Sequence, residues 1–246
     1  MTGRPLSGRT AYISGSGRNI GRAVAVELAR LGSNVVVNGA RDRAACDETA
    51  ALAAGHGVET LVAMGDVADP AAFERIASQA LSRFGTVDIV VNNAAIRPHK
   101  PFLETTEAEW QAVVDLGLTA ACRSARAFLP GMVEQGWGRI VNMTGMNAIR
   151  GYFEGAPISA AKHGVLGLTK ALAVEFAAAG VTVNAVSPGT IRTEGRDGSD
   201  PALLARIPVG FLGEPEDIAG LVGFLAAPGG RFVTGQMVAA NGGAAT

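Results

Sequence analysis

The sequence predicts an α/β fold, a doubly wound parallel sheet of about seven strands with helices on both faces, and three observations carry that prediction. Short β-branched runs alternate with stretches long enough for helices of ten or more residues, which calls for right-handed crossovers and parallel pairing. Their β-branched centres, such as Val35-Val36-Val37, fit strands buried on both faces. No repeat, linker or low-complexity segment divides the 246 residues, so a single domain over 1–246 is expected.

In chain order, a strand through Tyr12 leads into the turn Ser14 to Gly21 and a helix through Ala23, Val24, Glu27 and Leu28 to Leu31. Asn34 to Asn38 is too short for a helix and reads as the second strand. A helix follows from Asp42 to Ala54, closed by Gly55 and Gly57, and Thr60 to Met64 is the third strand. Asp69 with Pro70 is an N-cap with proline at the first helical position, opening a helix to Phe84. Val87 to Val91 is the fourth strand, ending in Asn92-Asn93-Ala94-Ala95. Thr106 and Glu109 form a capping box for one long helix reaching about Glu134. Arg139 to Met143, Val181 to Val186 and Gln236 to Ala240 are further strands, Pro157 to Ala179 is a long helix, and Pro215 starts the last helix. Asp197 to Pro201, rich in Gly, Ser and Pro, reads as a mobile loop on the ligand-binding edge, within a substrate loop around 193–212 where Ile207-Pro208-Val209 with Phe211 and Leu212 suggests an apolar lid.

Composition narrows the function. A chain of this length buries roughly 70 to 75% of its unfolded surface, so neither a disulfide nor a metal is needed for stability. Cys46 and Cys122 stand far apart without a C-x-x-C motif, as reduced thiols of a cytoplasmic protein do. The net charge of −1 comes from interspersed acids and bases, so no basic face for nucleic acid is present and no polybasic membrane anchor. Met1 to Pro5 lacks the apolar core of a signal peptide, and no apolar run of about 18 residues occurs.

The turn Ser14-Gly15-Ser16-Gly17-Arg18-Asn19-Ile20-Gly21 joins a strand to a helix, which is the arrangement of a phosphate site. Glycine lets the backbone approach an oxyanion, and the helix start offers unpaired N–H groups. Gly21 comes one place later than G-x-G-x-x-G requires.

That turn, with Asp66-Val67, Asn92-Asn93-Ala94-Ala95, Ser187-Pro188-Gly189 with Thr193, and Val233-Thr234-Gly235-Gln236 with Asn241-Gly242-Gly243, resembles the short-chain dehydrogenase/reductase family in order and spacing over nearly the whole chain. The family's T-G-x-x-x-G-x-G falls on Ser14 to Gly21, with Asn19 at the middle glycine. Asn is the non-glycine residue that best tolerates left-handed backbone, so the loop reads as intact. The resemblance implies a Rossmann-like fold and a dinucleotide held by Gly15, Gly17, Arg18, Asn19, Ile20, Gly21 and Arg41. Asp66 and Val67 would meet the adenine, Asn92 and Ala94 the ribose side, Lys162 the nicotinamide ribose, and Pro188, Gly189, Ile191 and Thr193 the nicotinamide end. A homotetramer or homodimer is implied as well, through the long helices after Thr106 and Pro157. The second carries small residues at Ala160, Ala161, Gly164 and Gly167, which could instead simply pack on the sheet.

Charge points to the cofactor. A carboxylate at the end of the second strand would bind the adenosine ribose hydroxyls and repel a 2′-phosphate. Gly39 stands there, with Arg18 and Arg41 nearby to pair with a phosphate, so NADP(H) is favoured over NAD(H). The alternative is that both arginines are ordinary surface residues and Asp42 merely a helix cap.

The family's chemistry uses a Tyr four residues before a Lys, a Ser about thirteen before the Tyr, and an Asn in the preceding long helix. Lys162 is present, but the aligned positions carry Ile158, Gly145 and Gly117. Among replacements, Tyr152 is the foremost proton donor, equally readable as an aromatic closing the pocket, with His99 behind it. Thr144 and Asn147 flank the Ser position and could bond a substrate oxygen. Three readings follow: an NADP(H)-dependent oxidoreductase with an altered proton-donor site, acting on a small carbonyl, enone or imine; a non-catalytic dinucleotide-binding sensor or silent subunit; and a non-redox lyase or isomerase using Lys162 as base or Schiff-base former.

Overall fold

The computed structural model describes residues 3–193, 198 and 200–245. Its strands are β1 (Thr10–Ile13), β2 (Asn34–Gly39), β3 (Thr60–Met64), β4 (Ile89–Asn92), β5 (Gly138–Met143), β6 (Val181–Pro188) and β7 (Met237–Ala240). Between them lie α1 (Asn19–Arg30), α2 (Arg43–Ala54), α3 (Pro70–Phe84), α4 (Glu107–Val114), α5 (Ala120–Glu134), α6 (Ala156–Phe176), α7 (Pro201–Leu204) and α8 (Pro215–Ala226). All seven strands pair in parallel in the order β3-β2-β1-β4-β5-β6-β7. The order reverses between β1 and β4, and the carboxyl ends of these two strands bound the crevice where ligands bind in sheets of this kind.

Alternate residues of each strand serve opposite cores. Ala11 and Ile13 of β1 pack with α1 and α8 through Val24, Leu28, Ile218 and Val222. Tyr12 points to the other face, among Phe73 of α3 and Phe128 of α5. Both faces of β1 are therefore covered by helices, as a strand in a doubly wound sheet requires.

The capping residues act as their types dictate. Asp42 accepts from Ala45 N at 3.0 Å, Asp69 accepts from Ala71 N at 2.9 Å, and Thr106 and Glu109 complete a reciprocal box. Two boundaries differ from expectation. Strand β4 starts at Ile89 because the Asp88 carboxylate accepts from Thr10 N at 2.7 Å and pairs with Arg9 at 3.0 Å, anchoring the strand entrance. The long helix after Thr106 is broken by a π-helical turn over Asp115–Thr119, a widened turn that often marks a functional site. Small residues of α6 meet that turn: a Cβ on Gly117 would lie 3.1 Å from Ala161 Cβ, and one on Gly164 would lie 2.8 Å from Leu118. Ala161 and Gly164 are thus used inside the chain, while Ala160 and Gly167 stay exposed.

Of the expected mobile loop, Asp197 and Ser199 lie outside the described residues, as does part of the expected substrate segment 193–212. Within it, Ile207 and Leu212 are buried anchors and Val209 and Phe211 are exposed. No helix among the described residues is long and apolar enough to cross a membrane.

Candidate active site

The glycine turn is held by a dense set of side-chain bonds. Ser14 Oγ accepts from the backbone N–H groups of Asn93 and Ala94, at 2.9 and 3.0 Å, tying the end of β1 to the end of β4. The Asn93 amide donates to the carbonyls of Ser14 and Gly15. From β2, Asn38 accepts from Gly15 N at 3.3 Å and donates to Ala63 O and Gly65 O. Arg22 donates to Gly17 O at 2.7 Å and pairs with Glu48, so α1, the turn and α2 are braced together.

The spacing of the glycines has a geometric cause. A Cβ at Gly21 would stand 2.3 Å from Gly15 O, and Gly15 has φ 62°, where a Cβ would lie 3.0 Å from Ala94 Cα. Asn19 takes φ 49°, the left-handed geometry expected of it. Helix α1 begins at Asn19 with no side-chain cap and no acid in its first turn, leaving N–H groups and the positive dipole end open to an anion. Arg18 and Arg41 are exposed on either side, and neither forms an ion pair among the described residues. A dinucleotide pyrophosphate fits such a cradle.

Around the remaining edge, Asp66 is exposed and accepts from Ala68 N, while Val67 is buried. Arg123 of α5 fixes that turn by donating to Val67 O at 2.7 Å. The Asn92 side chain donates to Asn142 Oδ1 at 2.8 Å and accepts from Ser124 at 2.7 Å, and Asn142 donates onward to Thr169. This network links β4, β5, α5 and α6, so the Asn92 amide is engaged in holding elements together. Pro188 ends β6, and Gly189 must be glycine because a Cβ there would lie 2.5 Å from Asn241 Cα. Ile191 is buried in a bridge to Gly213, with Thr193 half-buried beyond it.

Lys162 is 5% exposed and donates from Nζ to Met143 O at 2.7 Å. Burial, reinforced by Arg97, brings its pKa down to about 8. Behind the cleft wall a cavity reaches Lys162, Asn92, Ser14, Gly117 and the buried hydroxyl of Tyr12, which has no hydrogen-bond partner among the described residues. Ile158 is 3% exposed and packs against Val113, Ala161 and Leu118. Gly145 has φ 124°, a backbone that side chains rarely adopt. Thr144 is buried and donates its hydroxyl proton to Val186 O at 3.0 Å in the sheet. Asn147 is half-buried with no side-chain bond among the described residues. Tyr152 is 46% exposed, its ring 5.1 Å from that of His99, and Lys100 N donates to Glu154 O to join their two loops.

A sequence profile described as Enoyl-(Acyl carrier protein) reductase matches residues 15–245. The chain belongs to the short-chain dehydrogenase/reductase family. A 3-oxoacyl-[acyl-carrier-protein] reductase of Synechocystis sp. is 38% identical over 97% of both chains. The (2S)-[(R)-hydroxy(phenyl)methyl]succinyl-CoA dehydrogenase subunit of Thauera aromatica is 39% identical, again over 97% of both. Among solved structures, acetoin dehydrogenase from Salmonella typhimurium superposes with a TM-score of 0.90 at 30% identity, over 96% of this chain and 95% of that one. The family is one of oxidoreductases, and the chain is an enzyme of that class. Sequence reasoning named the glycines of the cradle and missed its braces, Asn38, Arg22 and Asn93 in amide form, because a brace is defined by a distant partner and no local pattern announces it.

Proposed function

We propose that this chain is an NADP(H)-dependent oxidoreductase with an altered proton-donor site, its substrate a small carbonyl, enone or imine met by the segment around 193–212. The observation that carries the cofactor assignment is the pair Arg18 and Arg41, unpaired and exposed beside a β2 end that carries Gly39 in place of a carboxylate. The reductase from Synechocystis is a relative consistent with redox chemistry here. The proposed protein is cytoplasmic and assembles as a homodimer or homotetramer.

When bound, NADP(H) supplies or accepts the hydride. Gly15, Gly17, Asn19, Ile20 and Gly21 hold its phosphates, and Lys162, a buried cation, binds the nicotinamide ribose. Ketone reduction also needs a proton, a contribution on the order of 10² to 10⁴ in rate, and the aliphatic Ile158 has none to give. Tyr152 is the side chain we assign to that role, with the His99 ring tilted beside it at 5.1 Å as the next candidate donor. An iminium needs only hydride, and an enone takes its second proton at carbon from solvent, so both tolerate Ile158 better than a ketone. Steady-state NADPH oxidation against a ketone, an enone and an imine tests this. Turnover should rank imine and enone above ketone and fall at least tenfold in Tyr152→Phe for the ketone; silence across all three overturns it.

A second reading, a silent dinucleotide-binding subunit beside an active relative, is favoured by two observations. Ile158 is packed in the core with Val113 and Ala161, against which Gly117 also lies, and the Thauera relative is itself named as a subunit. Under that reading the protein binds NADPH and turns over no member of the panel.

A further inference from the structure

Gly39 carries the cofactor assignment, and its backbone gives no reason for it to be glycine, since its φ lies outside the left-handed region. Two of the three neighbours that a Cβ would meet, Asp42 O and Met64 Cε, stand at 3.9 Å, which is ordinary contact. The third is Cys46 Sγ at 2.5 Å, a separation that Cβ atoms do not tolerate. The same sulfur would lie 3.2 Å from a Cβ at Gly17 in the phosphate turn. Cys46 sits one turn into α2, 1% exposed and packed with the core that includes Val35, Val37, Ala50 and Ala53, so its sulfur has no solvent to turn into.

We infer that Cys46 is a specificity-determining residue: its sulfur fills the space that a side chain at position 39 needs, and so excludes the ribose-binding carboxylate and keeps the subsite open to a 2′-phosphate. This rests on the NADP(H) reading, and it makes that reading a property of a pair of residues on different elements, Gly39 of β2 and Cys46 of α2. The arginines attract a phosphate, whereas Cys46 forbids the group that would repel it. A change of preference toward NAD(H) therefore needs two substitutions, the second of which touches no cofactor atom.

The test uses the full chain in four forms: unsubstituted, Cys46→Ala, Gly39→Asp, and the double variant. Dissociation constants for NADPH and NADH and the Tm are measured for each, with Cys46→Ala as reference for the double. The unsubstituted protein should prefer NADPH at least tenfold. Gly39→Asp should lose several degrees of Tm and bind both cofactors weakly, and the double variant should regain the Tm and prefer NADH. A Gly39→Asp protein that matches the double in Tm and in cofactor ratio overturns the role of Cys46. Equal affinity for NADPH and NADH in the unsubstituted protein overturns the cofactor reading instead, and the Tm coupling still decides the steric claim. Should Gly39→Asp not fold, Gly39→Ala with and without Cys46→Ala reads the same coupling, and additive Tm changes there count against the inference.

Discussion

The two halves of the ligand edge are built in opposite ways. On the β1–β2 side every glycine and polar group has a local reason: Gly15 and Gly21 leave room for backbone, Ser14, Asn38 and Asn93 lock the turn, and α1 is left uncapped for an anion. On the β5–α6 side Ile158, Gly145 and Gly117 are the positions where the proposed reading puts an altered proton-donor site, and two of these three are absorbed into packing between the π turn and α6. Under the proposed reading proton chemistry can change while the glycine turn is kept, because the turn is braced by contacts among β1, β2, β4 and α2 that do not pass through α6. Binding and proton transfer are physically separable here, and substitutions should separate them.

The largest expected effect is at Gly21. Adding one methyl group places it 2.3 Å from Gly15 O and 2.8 Å from Ser16 Cα, both backbone atoms that cannot step aside. Gly21→Ala should therefore cost about 3 kcal/mol of stability despite alanine's better helix propensity, and abolish NADPH binding. Urea unfolding and a fluorescence titration check both. A variant that unfolds like the parent and still binds would show that the turn is looser than its contacts indicate, and would erase the contrast between the halves.

Lys162 of α6 reaches the end of β5 through Met143 O, and it yields a smaller, pH-dependent effect. Its folded pKa of about 8 lies below the ordinary lysine value of 10.5, so the folded state resists the proton. The penalty is fully present below pH 8, where the amine is charged folded and unfolded alike. It fades as pH rises from 8 to 10.5, and is gone above that, where the amine is neutral in both states. A shift of this size corresponds to about 3 kcal/mol, against which stands roughly 1 kcal/mol for the hydrogen bond to Met143 O. Lys162→Met should thus stabilise the cofactor-free protein by about 2 kcal/mol at pH 7, with the gain vanishing by pH 10.5, while weakening NADPH binding. Loss of stability at pH 7 would place Lys162 among the braces and not among groups held at a cost for function.

How much of this was legible in the sequence follows from the range of the interactions. The sheet, its helices and the caps at Asp42, Asp69 and Thr106 rest on contacts within a few residues or on the apolar character of a whole run, and these a sequence displays. The π turn at Asp115–Thr119 was hidden inside an uninterrupted helical pattern, because one extra residue per turn leaves little compositional trace. The engagement of Thr144 with Val186, the Asn92–Asn142–Thr169 chain and the sulfur beneath Gly39 all join residues 7 to 50 positions apart, and only the folded chain brings them together. Glycines pointed to a phosphate site, and Ile158, Gly145 and Gly117 led to the proposal of an altered proton-donor site, whose surroundings are set by packing between distant elements.

The smallest expected effect is at Asn19, and it sharpens the comparison most finely. Asn19 holds φ 49° at the place where the family has glycine, is exposed, and makes no side-chain hydrogen bond among the described residues. Asn19→Gly removes a mild left-handed penalty in the folded chain and adds conformational freedom to the unfolded one, so the two contributions nearly offset and stability should change by less than about 0.5 kcal/mol. Asn19→Ala keeps a Cβ without the local polar compensation that lets Asn visit this region, and should cost about 1 kcal/mol. If the turn is a pure backbone cradle, both variants bind NADPH as the parent does once the difference in stability is allowed for. A Gly variant that is stable yet binds more than tenfold weaker would mean that the Asn19 amide itself contacts the cofactor, and the cradle would then owe its affinity to a side chain as well as to its N–H groups.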